Sequence, residues 1–317
     1  MSLETSPSSE SLSLDMIDSG HSGRPGDDAH GSSDELVPLR THRSVLRRLL
    51  SNRGAAIAAG FLLLLALGAI LAPLITPHDP NSQDLLNTLR SPSGEFWLGT
   101  DNKGRDVLSR IVFAGRVALM APLLAVTVGV VLGVPAGLLA GTTRGRIDRI
   151  LGRLADTILS IPPLVTALAI IAILGPGLTN AMLAIGIVYA PRLFRVTRGA
   201  TMSVSEELYV DASRSVGCST PRLLWAHVLP NISGPLLVQI SLMMGFSLLA
   251  EASLSFLGLG IQIPDASWGS MLRDAYQDKF KAPYAVVPPG LAMTLTILAF
   301  NTLGDGLRDI ITARRRE

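Results

Sequence analysis

The chain has 317 residues, 48% of them hydrophobic and only 16% charged, with a mean hydropathy of +0.42. Soluble domains carry about 25% charged residues, so this balance points to lipid as the solvent and excludes an ordinary water-soluble domain. The net charge of +2 is small and unevenly distributed, and no acidic or basic tract suggests nucleic acid; the single cysteine, Cys218, excludes an intrachain disulfide and a thiolate metal site made by this chain alone.

Residues 1–40 are rich in Ser, Gly and acidic side chains (Glu4, Glu10, Asp15, Asp18, Asp27 and Asp28 among them) and lack apolar periodicity, which reads as a disordered tail. No basic start runs directly into an apolar stretch there, so a cleaved signal peptide is not expected. Over residues 41–54, Val45, Leu46, Leu49 and Leu50 share one helical face, with Arg43, Arg47 and Arg48 on the other. That pattern fits a basic amphipathic helix on an anionic membrane surface and, equally, a solvated flank of the first span.

Residues 55–76 form the first transmembrane helix, closed at Thr76-Pro77, and residues 77–116 a polar loop. The core bundle covers residues 117–304, with crossings at 117–141, 158–174, 178–190, 232–257 and 285–303, six in all with the first. Gly175-Pro176-Gly177 allows only a hairpin between two of them. Pro162, Pro163, Pro191, Pro288 and Pro289 free backbone carbonyls that need partners in neighbouring helices or a wet cavity, as in a bundle that lines a path.

Among the 27 Lys and Arg residues, only Arg90, Lys103, Arg105, Arg110, Arg116, Arg273, Lys279 and Lys281 fall on the side opposite the N-terminus. The positive-inside rule therefore places both termini in the cytoplasm. It leaves a cytoplasmic loop at 192–231, outer segments at 77–116 and 258–284, and a cytoplasmic tail at 305–317. Loops this long in a compact bundle are usually functional.

Within 192–231, Leu208, Ala212 and Val216 recur at four-residue spacing, so a short amphipathic helix is expected, ended by Gly217 in a left-handed conformation. Ser219 or Thr220 can cap the next helix, with Pro221 at its first position. Two short helices joined by a sharp bend suit rigid docking in a cleft of a cytoplasmic partner; a plain connecting loop is the alternative.

Asp211-Ala212-Ser213, Gly217 and Val228-Leu229-Pro230 resemble the "EAA loop" of bacterial ABC importer permeases, and His227 with Asn231 is similar to the dipeptide/oligopeptide branch. Asp stands for the usual Glu and Ser213 for the second Ala, which shortens the acid's reach by one methylene. Leu98-Gly99-Thr100-Asp101 with Gly104-Arg105-Asp106 and Arg110 looks like the outer loop of the C-type permease of this family. Glu251 to Gly260 continuing to Ser267-Trp268-Gly269, and Asn301 to Asp309, resemble two further family segments, although the usual Asp-Pro after the last is replaced by Ile310 to Ala313.

The resemblance implies an all-α integral membrane fold, the six-helix bundle of a type I ABC importer permease, in a bacterial cytoplasmic membrane. Its implied partners are a homologous second permease, two ATPase subunits that bind ATP and Mg, and an extracytoplasmic substrate-binding protein; the cargo would be di- or oligopeptides. Tyr209, Asp211, Ala212, Ser213, Gly217, Cys218, Ser219, Arg222, His227 and Pro230 would contact the ATPase. Asp101, Gly104, Arg105, Asp106, Arg110 and Trp268 would serve the outer face as a scaffold toward a partner, or as a self-paired loop.

No catalytic group or cofactor of this chain's own is expected. A Walker loop needs Gly-Lys-Ser/Thr, and the lysines, at 103, 279 and 281, are followed by Gly104, Phe280 and Ala282. The five histidines lack ligand-like spacing, so no metal site is expected. Glu251, a carboxylate deep in an apolar run, is a candidate for the gate or path. A proton-coupled transporter would show several paired ionisable groups in mid-span, and a membrane enzyme a cluster at one depth. Nickel-chelate, glutathione or other solute cargo remains compatible with the same machine.

Overall fold

The computed structural model describes residues 52–316; the tail expected over residues 1–40, and the basic helix expected over residues 41–54 up to Ser51, lie outside it. Every regular element among the described residues is helical, apart from one antiparallel bridge between Thr100 and Asp106. In chain order they are α1 (Arg53–Ile75), α2 (Val107–Thr143), α3 (Arg146–Leu159), α4 (Pro163–Leu174), α5 (Leu178–Val204), α6 (Leu208–Ser215), α7 (Thr220–Phe256), α8 (Trp268–Gln277) and α9 (Val287–Arg316).

Four segments are long and apolar enough to cross a membrane: α1, α2, α7 and the run Pro283–Ile310. A fifth exists if α3 and α4, which meet at 92°, form one broken span. The crossings expected from the sequence map onto α1, α2, the α3–α4 pair, α5, α7 and α9, with one correction. Residues 158–174 are not a continuous helix: Ile158 and Leu159 end α3, the chain turns through Ser160 to Pro162, and α4 has 12 residues. At 1.5 Å per residue α4 rises about 18 Å, short of the roughly 30 Å hydrocarbon layer.

Helix boundaries also move relative to expectation. α2 begins at Val107, inside the segment read as a loop to residue 116, because Asp106 caps it, its carboxylate accepting from the Ser109 amide at 2.9 Å. α5 continues through Pro191 to Val204, so Arg192, Arg195 and Arg198 ride on a helix and the loop expected over 192–231 opens only at Ser205.

α1 turns Leu64, Ile70 and Leu74 outward and buries only alanines, Ala55, Ala58, Ala69 and Ala72. Its Pro73 has no amide hydrogen, which orphans the Ala69 carbonyl one turn back. Arg116 of α2 fills that vacancy, its Nε donating to the Ala69 oxygen at 2.7 Å.

The tightest pairing is α2 against α5. Gly129, Gly133, Gly137 and Gly141 repeat every fourth residue along α2 and are all buried, and none of the last three has room for a methyl group. A Cβ at Gly133 would stand 2.5 Å from the Ala190 carbonyl, and one at Gly137 2.5 Å from Thr197 Cβ. Small residues at this spacing bring two backbones together, the main source of helix association where lipid removes the hydrophobic drive. Ala125, Ile185, Leu193, Met243 and Leu254 continue the core from this seam to α7.

Candidate functional site

Two clusters gather the residues singled out in the sequence, one at each end of the bundle. The first is a clamp that fixes the segment between α1 and α2 onto α8. Asp101 is its hub: one carboxylate oxygen accepts from the Lys103 and Arg105 amides at 2.8 and 3.0 Å, the other from Arg105 Nε at 2.7 Å. Arg110 Nε lies 3.7 Å from the same carboxylate, and Arg105 reaches Asp274 of α8 at 3.7 Å. Gly104 closes the turn with φ of +71°, where a Cβ would fall 1.7 Å from the Asp84 carbonyl oxygen.

Trp268, at the start of α8, donates from its indole nitrogen to the Ile111 carbonyl of α2 at 3.1 Å. Arg105, Asp106, Arg110 and Trp268 are all buried, so the charges that alternate along the sequence pair with one another inside this chain. Buried charges demand such pairing. The apolar rings this end offers to its surroundings are Trp97 and Phe280, 68% and 92% exposed.

Glu251 sits on α7, five residues before its end at Phe256, and is enclosed. Its carboxylate accepts from the Ser255 hydroxyl at 2.6 Å, and the Ser267 hydroxyl also reaches it. Ser255 in turn accepts from the Ile261 amide at 3.2 Å. The acid thus ties the end of α7 to the N-cap of α8, where Gly269 packs directly on the Ala252 backbone.

The second cluster is the bent element α6–α7 at the opposite end. Gly217 has φ of +85°, and the Cys218 amide donates to the Ser213 carbonyl at 3.1 Å, the six-to-one bond of a Schellman cap. Ser219 takes the N-cap position of α7 with Pro221 in its first turn, although its hydroxyl makes no capping bond. Val210 is fully buried and belongs with Leu223 and Val228 to the main core, which seats α6 on the first turns of α7. Those turns are a π stretch, Leu223–Val228, leading into Pro230.

Asn231 fastens the bend, its amide donating to the Tyr209 hydroxyl at 2.9 Å and to the His227 carbonyl at 2.7 Å. Partial burial, with Glu207 adding to it, pushes the Tyr209 hydroxyl above its ordinary pKa. On the far side Arg144, in a left-handed conformation at the end of α2, pairs with Glu206 at 2.9 Å.

The four-residue repeat Leu208, Ala212, Val216 does form the apolar side of this element, but that side faces away from the chain. Leu208 is 87% and Val216 89% exposed, and Asp211, Ala212, Arg222, Trp225 and Pro230 are exposed with them. Ser213 and Cys218 are half-buried. The sequence reading missed the buried anchor Val210, and it missed α3 as a separate helix, whose signal was the mix of Arg146, Arg149 and Arg153 with Ile147, Ile150 and Leu154.

A polytopic helical bundle with an apolar-tipped bend held out at one end has the architecture of a membrane permease. The fold is that of an ABC importer permease: a chain of the MetNI methionine ABC transporter in its inward facing conformations aligns with a TM-score of 0.51 and 19% identity, over 65% of this chain and 95% of that one. The family described as binding-protein-dependent transport system inner membrane component matches residues 133–317, and the N-terminal TM domain of oligopeptide transport permease C matches residues 42–92. The chain belongs to the binding-protein-dependent transport system inner membrane components.

Relatives include the dipeptide transport system permease protein DppC of Alkalihalophilus pseudofirmus, 37% identical over 89% of this chain and 93% of its own length. The di/tripeptide transport system permease protein DppC of Pseudomonas aeruginosa is 43% identical over 89% and 95%. The glutathione transport system permease protein GsiD of Shigella flexneri is 41% identical over 84% and 88%.

Proposed function

We propose that this chain is the C-type permease subunit of a bacterial ATP-driven importer of short peptides, set in the cytoplasmic membrane with both termini inside. The observation that carries the reading is the α6–Gly217–α7 bend. It is braced by Asn231–Tyr209 and Arg144–Glu206 while it presents Leu208, Val216 and Trp225 to a partner. Such an element transmits a push that a floppy loop would absorb.

In this reading two ATPase subunits hold ATP and Mg2+ and grip the bend through Tyr209, Asp211, Ala212, Ser213, Gly217, Cys218, Ser219, Arg222, His227 and Pro230. A homologous second permease completes the path, and a substrate-binding protein delivers cargo to the opposite face, which the Asp101–Arg105–Arg110 clamp and Trp268 shape. Glu251 controls that outer end by keeping α8 tied to α7. The names of the relatives support di- and tripeptide cargo first and glutathione, itself a tripeptide, second.

The test is co-purification in mild detergent followed by uptake in a strain lacking the transporter. ATP-dependent dipeptide uptake, competed weakly by glutathione, is expected. Recovery of the chain without any ATPase bound at residues 208–222, or external labelling of Cys218, would sink the reading.

A further inference from the structure

α3 is an amphipathic helix laid at 92° to α4, at the same end as the α6–α7 bend, and the transport reading gives it no role. Its two acids face α5: Asp148 pairs with Arg198, the second guanidinium nitrogen standing 2.9 Å away, and Asp156 accepts from Arg195 at 2.6 Å. These bonds hold the helix crosswise against α5 and consume its negative charge.

Arg146, Arg149 and Arg153 are left over. At 3.6 residues per turn they lie within an arc of about 60°, close enough to repel one another. All three are exposed, and no acid among the described residues pairs with them. A helix that keeps three like charges together without a counter-charge gains from an anion brought from outside.

The neighbouring arc of α3 is apolar and open: Ile147, Ile150 and Leu154 are 44%, 66% and 55% exposed. Beside it runs an apolar groove of about 230 Å3 between α3 and the α2–α5 pair, bordered by Leu132, Ala136, Leu154, Ile158, Ile187 and Phe194. Basic side chains flanking an apolar arc match the headgroup boundary of an anionic bilayer, where acidic lipids attract polybasic helices.

We propose that α3 is a binding site for anionic phospholipid, the phosphate held by Arg146, Arg149 and Arg153 and an acyl chain lying in the groove between α3 and the α2–α5 pair. The site is distinct from the partner-facing bend, and it holds whichever peptide the importer carries. Lipid fits better than a protein partner because the groove continues onto Leu132 and Ile187, outward-facing positions of two membrane helices.

The full chain, purified in detergent and titrated with phosphatidylglycerol or phosphatidylcholine, is read by native mass spectrometry. Phosphatidylglycerol should be retained about ten-fold more strongly, and R146Q/R149Q/R153Q should abolish that preference, since each arginine near an anionic surface counts for several-fold. R90Q/K281Q, at the clamp end, should leave it unchanged. Undiminished preference in the triple variant, or equal loss in R90Q/K281Q, overturns the proposal.

A second measurement does not depend on the triple variant folding. A fluorophore on I150C, in a C218S background, should be quenched more by brominated phosphatidylglycerol than by brominated phosphatidylcholine, and the difference should vanish in high salt. Equal quenching by both lipids, or none because protein covers the helix, overturns the assignment.

Discussion

The Tyr209 hydroxyl and the Asn231 amide, 2.9 Å apart, join α6 to the membrane helix α7 that follows it. Tyr209→Phe removes that bond while keeping the ring. A net hydrogen bond is worth about 1 kcal/mol, so amide exchange across residues 208–216 should quicken by about five-fold. Membrane insertion should be unchanged and ATP-driven uptake should fall several-fold. Exchange as slow as in the wild type would show that Val210 alone seats α6.

Gly217 tests the bend itself. A β-branched residue in the left-handed region costs about 1–2 kcal/mol, whereas Asn tolerates it better. Gly217→Val should insert normally and lose coupling between ATP hydrolysis and uptake, and Gly217→Asn should keep most of it. Nothing lies within 4 Å of a Cβ there, so any defect reports backbone conformation and not a clash. Full transport by Gly217→Val would remove the bend from the mechanism.

Gly137 tests the seam between α2 and α5. A side chain there meets Thr197 Cβ at 2.5 Å and the Phe194 carbonyl at 2.8 Å. Gly137→Val should cost about 3 kcal/mol and lower the melting temperature in detergent by on the order of 10 °C. Gly199→Ala, on α5 with open space around it, should be neutral or gain up to about 1 kcal/mol. Similar melting of both variants would contradict the backbone contact.

Arg116 and Pro73 make a double-mutant cycle. Arg116→Ala orphans the Ala69 carbonyl and should cost about 1.5–3 kcal/mol, as expected for a hydrogen bond from a charged donor. Pro73→Ala restores an amide at the position that normally serves that carbonyl. The double variant should therefore be more stable than Arg116→Ala alone; additive losses would mean the pair is not coupled.

The parts of this architecture legible in the sequence are those governed by local rules. Apolar runs located α1, α2, α7 and α9; Gly217 and Pro221 marked the bend; and four short segments in order pointed to the family. What escaped depends on contacts distant in sequence. The buried carboxylate of Asp106 made a helix start where charges suggested a loop, and Arg195 and Arg198 became a helix surface because Asp148 and Asp156 of α3 met them there. The outward turn of Leu208 and Val216 was equally invisible, since spacing defines an apolar side without saying which neighbour it meets. The glycine repeat of α2 was in plain view; only its partner α5 gives it meaning.

Because Gly133, Gly137 and Gly141 put no side chain of α2 into its seam with α5, those two helices have little to re-pack and move together as a strut. Any cycle of opening and closing must then be absorbed at joints elsewhere. The right-angled break at Ser160–Pro162 interrupts the helical run outside that strut and is the natural place for such a joint.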